Sequence, residues 1–569
     1  MTARREPMSA TKMIKAISKT RLLLAAIAVG MALLLTATAQ ATAPGISGGT
    51  GSSASFSLTA KEAFISQPDG QMVYSWGYGC ATGYTPAFAP QPGGVNLANA
   101  NCNSMQVPGP TLIVTEGQTV TVNLTNGLPA SAGNTSILFP GFTLTTAAAT
   151  GSQPTTCTAT TPAPQGLLAV EAAPGCSVTY TFTASTPGTR AYYSGTQGDL
   201  QVEMGLYGAI IVLPNSANVP TCPTHSTYAG LNTAGTALVA GGEGDFRLSS
   251  TGAAYHVAGS CYDREYLFQF SEMDPVIHRQ AEEQVAIAAA ACTTSVTSPS
   301  CSLHVATEPY HPAYFMINGR SMPDDMDPNY AFEYPHQPYN GNPHMHPGDQ
   351  VLLRIIGQGR WQHPFHEHGN HVRVLARDGN LIVSKSDATL LAGPLLFTTT
   401  TTPGQAMDGI FYWTGRGLNW DPYGHKPVSS DPNATLTCSP DANGYNTVQS
   451  AINYYEWCQD HNKPLQAAPF GDVAGGGPVT LPDPNIFANG AWFGGSPYLG
   501  PNATTRAVGP TGTTPPSGTI ANPPGSEAGF AFMWHSHNER EITTNNIFPG
   551  GMMMMMLVDS REFVIDESN

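Results

Sequence analysis

Val120, Val122 and Leu124 alternate with threonine and asparagine between Thr119 and Asn126, and that period of two predicts a strand with one buried face. Just before it, "TLIVT" (Thr111 to Thr115) forms another β-rich run, set off by Glu116-Gly117. Strand patterns return in "CSVTYTFTAS" (from Cys176) and, as a continuous apolar run, in "LYGAIIVLP" (from Leu206). Together these predict a β-sandwich over residues 51–214. Its middle, "TTAAATGSQPTTCTATTPAPQG" (Thr145 to Gly166), is low in complexity and predicts a loop. A second group of strand-like runs begins at "REYLFQF" (Arg264 to Phe270). It continues through "AYFMING", "QVLLRII", "HVRVLARDG", "PLLFTTTT", "DGIFYWT", "FAFMWHSH" and "GMMMMMLV". That inventory amounts to one further sandwich over residues 260–563, so two sandwiches are expected rather than three. Residues 215–259 read as a linker, and residues 415–528, rich in Pro, Gly and Asn, as an insertion. One helix is expected in "DPVIHRQAEEQVAIAAAA", ahead of Cys292.

Composition agrees with an all-β chain. Only 11% of the 569 residues are charged, while Gly (60) and Pro (48) are abundant, as many short strands joined by turns require. The N-terminus reads as a targeting segment. Arg4, Arg5, Lys12, Lys15, Lys19 and Arg21 precede the apolar run Leu22 to Leu35, and Ala37 and Ala39 suit cleavage before Gln40. The apolar run is short for a span of about 20 residues, so residues 1–39 are expected to be a cleaved signal, with no stable membrane insertion. The destination is the periplasm, the cell envelope or the exterior. The whole chain carries a formal charge of −16, and loss of the basic N-terminus makes the remainder more acidic. Such a surface repels nucleic acid and attracts cations. The ten cysteines all follow the signal and fall as near neighbours, which suits local disulfides in an oxidising compartment. Their connectivity is left open by the sequence. No CxxC pair occurs, so a zinc ribbon has no support.

Histidine changes the picture most. None of the sixteen precedes His225, so the first sandwich is histidine-free. The richest cluster is "HPFHEHGNH", with His363, His366, His368 and His371; near the C-terminus stand His535 and His537 around Ser536. In a strand, residues two apart share a face. His366 and His368 are therefore expected to point together, with Glu367 turned away, and His535 and His537 likewise. Two such strands, paired, can present four imidazoles to one centre, a donor set that suits copper, zinc, iron or nickel. The bland alternative is a vestige that packs and binds nothing. "NPHMHPGD" (His344, His346) reads as a solvated turn or a second capture loop, the Met552 to Met556 run as a buried strand or a set of soft Cu(I) donors, and Glu539 to Glu541 as a solvated loop.

These motifs resemble the multicopper oxidase family. "HPFHEHG" is similar to its H-P-x-H-x-H-G motif, and "WHSHNERE" with the following "GGM" to its terminal H-C-H motif. "VPGPTLIVTEGQTVTVNLTNGLP" and "GTQGDLQVEMGLYGAIIVLP" resemble its first cupredoxin domain, while "REYLFQFSEMDP" and "YFMINGRSMPD" resemble later domain openings. The resemblance implies tandem cupredoxin-like Greek-key sandwiches. It also implies a type 1 copper, bound through a cysteine thiolate, that passes electrons to a trinuclear cluster of eight histidines. The chain departs from that pattern at definable places. Leu138 and Pro140 ("TSILFPG"), then Tyr193 and Gly195 ("YYSG"), stand where the resemblance places four first-domain histidines. Ser536 stands for the type 1 cysteine and Glu541 for a second type 1 histidine, while His363 remains and Met552 matches the axial methionine.

The ligand set that survives is His366, His368, His535 and His537, with His363 and, more weakly, Met552 and Glu541 on the other side. Blue copper needs the thiolate, so four-copper laccase turnover is not expected. The expectation is a copper-binding protein with fewer than four coppers, down to a single ion. It is either an oxidoreductase with an altered centre, working on a small reductant or an electron-transfer partner, or a non-catalytic copper buffer or relic scaffold. Substrate and oligomeric state are left open.

Overall fold

The computed structural model describes residues 43–49, 51–89, 100–148, 157, 170–215, 217–220, 222, 252–291, 301–416, 438–448, 457–459, 495–498, 504–505, 520–521, 529–559 and 565. The expected signal segment, most of the linker with His225, most of the insertion with His425, and Cys292 lie outside the described residues.

The first half folds into two five-stranded sheets. One runs in the order Ala87–Ala89, Gly45–Ser47, Leu112–Thr115, Tyr207–Leu213, Gly188–Tyr193; the other Met72–Cys80, Ser53–Ser66, Thr119–Asn126, Ser177–Thr183, Thr145–Ala148. Leu112–Thr115 runs parallel to both of its neighbours, and Ser53–Ser66 parallel to Thr119–Asn126. These non-sequential pairings make each sheet mixed and give the sandwich its Greek-key, cupredoxin-like wiring. The alternation in Thr119–Asn126 buries Val120, Val122 and Leu124 completely. They meet Phe56, Trp76, Tyr180 and Phe182 in one core. Thr145–Ala148 corrects the sequence reading at the start of the low-complexity stretch, because it pairs with Ser177–Thr183 as an edge strand. Edge pairing depends on backbone groups, which low-complexity sequence supplies as well as any other. Gly188–Tyr193 is a further strand that the hydrophobic pattern did not announce.

The second half repeats the plan on a larger scale. A seven-stranded sheet contains Tyr314–Ile317, Arg264–Met273, Gln350–Gly357, Ala406–Tyr412 and Val372–Arg377 in that order, with short strands beyond. A six-stranded sheet runs His344–Met345, Met553–Asp559, Gly529–Ser536, His363–Glu367, Thr398–Thr401, with Gly495–Tyr498 also on the Gly529–Ser536 strand. Phe365, Phe411, Trp413, Phe532 and Trp534 fill the space between them. Met552, Met554 and Met556 belong to the same core, so the methionine run is a buried strand of adaptable apolar side chains.

The two sandwiches interlock. The helix Pro275–Ala291 belongs to the second half, yet Ile277 and Ala281 complete the first core, joined there by Leu303 and Tyr310. Arg354 donates to Glu265 Oε2 (2.7 Å) and to Thr189 Oγ1 (3.0 Å), and Thr189 donates to Asp408 Oδ1 (2.6 Å), all buried. Disulfides join Cys80–Cys102, Cys157–Cys176, Cys222–Cys261 and Cys438–Cys458, the near-neighbour pattern expected. Cys301 is also disulfide-bonded, and its other half lies outside the described residues. Among the described residues no helix is long and apolar enough to cross a membrane.

Candidate metal centre

The site is built on one antiparallel strand pair. His363–Glu367 lies beside Gly529–Ser536 in a register that puts Phe365 opposite Ser536, His366 opposite His535 and Glu367 opposite Trp534. The register is held by the core. Phe365 and Trp534 stand 6.1 Å apart edge to face, and a slip of one residue would turn both to the outside. His537 continues the line, its backbone N–H donating to Pro364 O at 2.8 Å.

On the outer face the four retained imidazoles come together. Ring centroids are 4.7 Å apart for His366–His368, 5.1 Å for His366–His537, 5.2 Å for His368–His535, 5.6 Å for His535–His537 and 5.7 Å for His366–His535. His368 Nε2 and His535 Nε2 face each other at 3.3 Å. Two nitrogens on one tetrahedral ion with bonds of about 2.0–2.1 Å stand about 3.3–3.4 Å apart, so this pair already has ligand spacing. Two rings are fixed from behind: His366 Nδ1 lies 2.8 Å from Thr398 Oγ1, and His535 Nδ1 2.7 Å from Ser536 O. Such contacts orient a ligand and select which nitrogen is presented. His366 and His535 are buried, His368 is half-buried and His537 exposed. Burial, then the neighbouring rings, lowers the His366 pKa to about 4, and burial lowers that of His535. Both are therefore neutral imidazoles near pH 7, the form that binds a metal. Among the described residues, no three His, Cys, Asp or Glu side chains yet converge on one point. The donor chemistry of four imidazoles fits a metal of the copper or zinc kind.

The inner face is different. His363 is fully buried with carboxylates on both sides: Nε2 lies 2.9 Å from Glu272 Oε2, and Nδ1 2.9 Å from Glu541 Oε2. Ser536 donates to the same Glu541 oxygen at 2.5 Å, and Asn538 Nδ2 to Glu541 Oε1 at 2.8 Å. Burial alone would lower the His363 pKa, but hydrogen bonds to Glu272 and Glu541, and their charges, outweigh it and hold the ring at about 9. Met552 is buried in the core; its N–H donates to Glu541 O and its carbonyl accepts from Ser536 N–H. Both nitrogens of His363 are thus engaged, an arrangement at odds with the expectation that it would hold a metal. Glu541, grouped with a solvated loop in the sequence reading, is 1% exposed, whereas Glu539 and Arg540 are exposed. Glu367 turns inward, as its strand parity required, and accepts from Thr399 Oγ1 at 2.7 Å. Burial raises its pKa to about 8.

Sequence reasoning missed Glu272, Tyr310 and Glu203. Tyr310 donates to Glu203 Oε2 (2.7 Å) and Glu272 Oε1 (3.2 Å), which links His363 to the first sandwich. One signal was available: Glu272 is an acid set between Phe270 and Met273 in the strand "REYLFQFSEM".

The replaced first-domain positions lie side by side. Leu138 and Tyr193 exchange backbone hydrogen bonds of 2.8 and 3.3 Å, and a Cβ added to Gly195 would lie 2.7 Å from Leu138 Cγ. The Leu138 side chain therefore occupies the space that a side chain at 195 would need. Tyr193 carries its hydroxyl toward Gly404 of the second half, and Pro140 is half-buried in the turn that follows Leu138. The suggested capture loop is no loop in solution. His344 Nδ1 pairs with Asp559 Oδ2 at 2.7 Å and His346 lies 3.7 Å from Asp349, all four residues being buried.

Two cupredoxin-like sandwiches, with histidines gathered on one strand pair of the second, define the class. Residues 92–217 match the multicopper oxidase family model. Similar solved structures include a multicopper oxidase, mgLAC (15% identity, 89% of this chain and 86% of that chain, TM-score 0.39). A blue copper oxidase from Nitrosomonas europaea is 14% identical over 89% of this chain and 85% of that chain (TM-score 0.39). A copper nitrite reductase from the same organism is 17% identical over 63% and 85% (TM-score 0.33). No curated protein sequence matches the chain.

Proposed function

We propose that the protein is an exported copper-binding protein with an oxidoreductase-like centre, in which one copper is held by His366, His368, His535 and His537. The observation that carries this reading is the outer-face cluster: four imidazoles on two paired strands, the buried pair neutral near pH 7, one couple already at ligand spacing. A copper there would exchange single electrons between Cu(II) and Cu(I). The chain's own contribution is orientation: Thr398 and the Ser536 carbonyl fix the rings of His366 and His535. Phe397 stands edge-on to His366 at 5.6 Å and shields it on that side. Export follows from the N-terminal segment and agrees with the disulfides.

A second reading is copper buffering without turnover. It is favoured by Ser536, which removes the thiolate that would wire an inner copper to the outer cluster. The two readings separate on one assay. Copper-loaded protein is offered a phenol or a reducing metal ion under air, beside His366→Ala. Oxidation that disappears in the variant supports the oxidoreductase; copper binding with no oxidation above free copper supports the buffer. Equal oxidation by wild type and variant would sink the first reading.

A further inference from the structure

We infer that the inner position, where the family resemblance implies a type 1 copper, is a metal-excluding clamp in which His363 is held as an imidazolium between Glu272 and Glu541. This concerns a different face of the strand pair and stands whether or not the outer cluster binds copper. The geometry is specific. The two carboxylates approach opposite ring nitrogens, each at 2.9 Å, so they cannot converge on a single ion. Each nitrogen faces an acceptor oxygen, and a ring that carries N–H on both sides is the cation. The clamp is buried throughout: Glu272, His363, Ser536 and Glu541 are at most 2% exposed.

The substitutions read as one change. Glu541 stands where the resemblance places a second histidine, and Ser536 where it places the thiolate. Here the serine hydroxyl donates to the oxygen of Glu541 that also meets His363. Hydroxyl, carboxylate and imidazolium satisfy one another as a set, so a proton on His363 does the cross-linking that an ion would otherwise do. The remaining charged and polar groups fit the same assignment. Glu272 Oε1 accepts the backbone N–H groups of Arg360 (2.6 Å) and Trp361 (2.8 Å), and the Tyr310 hydroxyl, which it shares with Glu203. The Arg360 guanidinium lies 4.1 Å above the Tyr310 ring. Asn538 completes Glu541. The protein thus carries its strand pair on a proton-bridged acid–base–acid chain that reaches Glu203 of the first sandwich.

The test is nitrogen NMR on wild-type protein labelled with 15N-histidine, with His363 assigned through bonds from its own Cβ protons. At pH 7.5 both His363 ring nitrogens should carry protons, and neither should shift when zinc is added to saturation. A single protonated nitrogen, or a zinc-dependent shift at His363, would overturn the clamp. A parallel optical measurement uses Ser536→Cys. With copper it should show no intense thiolate-to-copper absorption, because Glu541 and Glu272 still hold the imidazole. Appearance of that band would show that the carboxylates do not exclude metal. Failure of the outer cluster to bind copper changes neither readout.

Discussion

On the outer face of the His363–Glu367 and Gly529–Ser536 pair, four imidazoles look at one another. On the inner face, one imidazole stands between two carboxylates. His363 and His366 are three residues apart, yet burial lowers one pKa to about 4 while two acids hold the other at about 9. Residue type does not decide the chemistry here. Strand parity selects the face, and the face selects the partners that set the charge.

The comparison predicts unequal sensitivity to mutation. His363→Ala leaves two buried carboxylates facing a void and should cost about 3–5 kcal/mol in urea unfolding. His368→Ala, on the half-solvated outer face, should cost under about 1 kcal/mol in metal-free protein. Equal losses would erase the distinction between the faces. Next in size is the apolar replacement in the first sandwich. Gly195→Leu drives a side chain into Leu138 and should cost about 1–3 kcal/mol, with partial recovery in Leu138→Ala/Gly195→Leu. No recovery would mean that the two positions do not share that space.

The pH response sharpens the same contrast. His363 has a folded pKa of about 9, raised from 6.5. A raised pKa means the folded state holds the proton longer, so the stabilisation is fully present below pH 6.5 and is lost as pH rises through about 9. Wild-type stability should fall across that window more steeply than that of His363→Gln, and parallel curves would contradict the clamp. The smallest effect belongs to the rim. Glu308 pairs with Arg360 but its side chain is 70% exposed. Glu308→Ala should therefore cost no more than about 1 kcal/mol, and less in high salt.

Much of this was legible in the sequence. Period-two alternation located Thr119–Asn126, and the two H-x-H spacings placed four rings on one face with Glu367 and Ser536 on the other. The methionine run resolved as a buried strand because a continuous apolar run suits a strand that is paired on both sides and packed into the core. What stayed hidden was pairing at a distance. Periodicity reports which side chains are buried, not which buried polar group meets which. Glu541 looked like part of the exposed "ERE" run, and only Ser536 and His363, brought to it by the fold, make it a core residue. Glu272 and Tyr310 were invisible for the same reason. Thr145–Ala148 was hidden because edge pairing needs no side-chain pattern.

The central claim is that the outer cluster binds copper, and metal content tests it most directly. Mature protein is loaded with copper, dialysed exhaustively and analysed by mass spectrometry beside His535→Ala/His537→Ala. The account predicts about one copper per chain in the wild type, the occupancy of one four-imidazole shell, and its loss in the variant. A wild type that retains none, or a variant that retains as much, would contradict it.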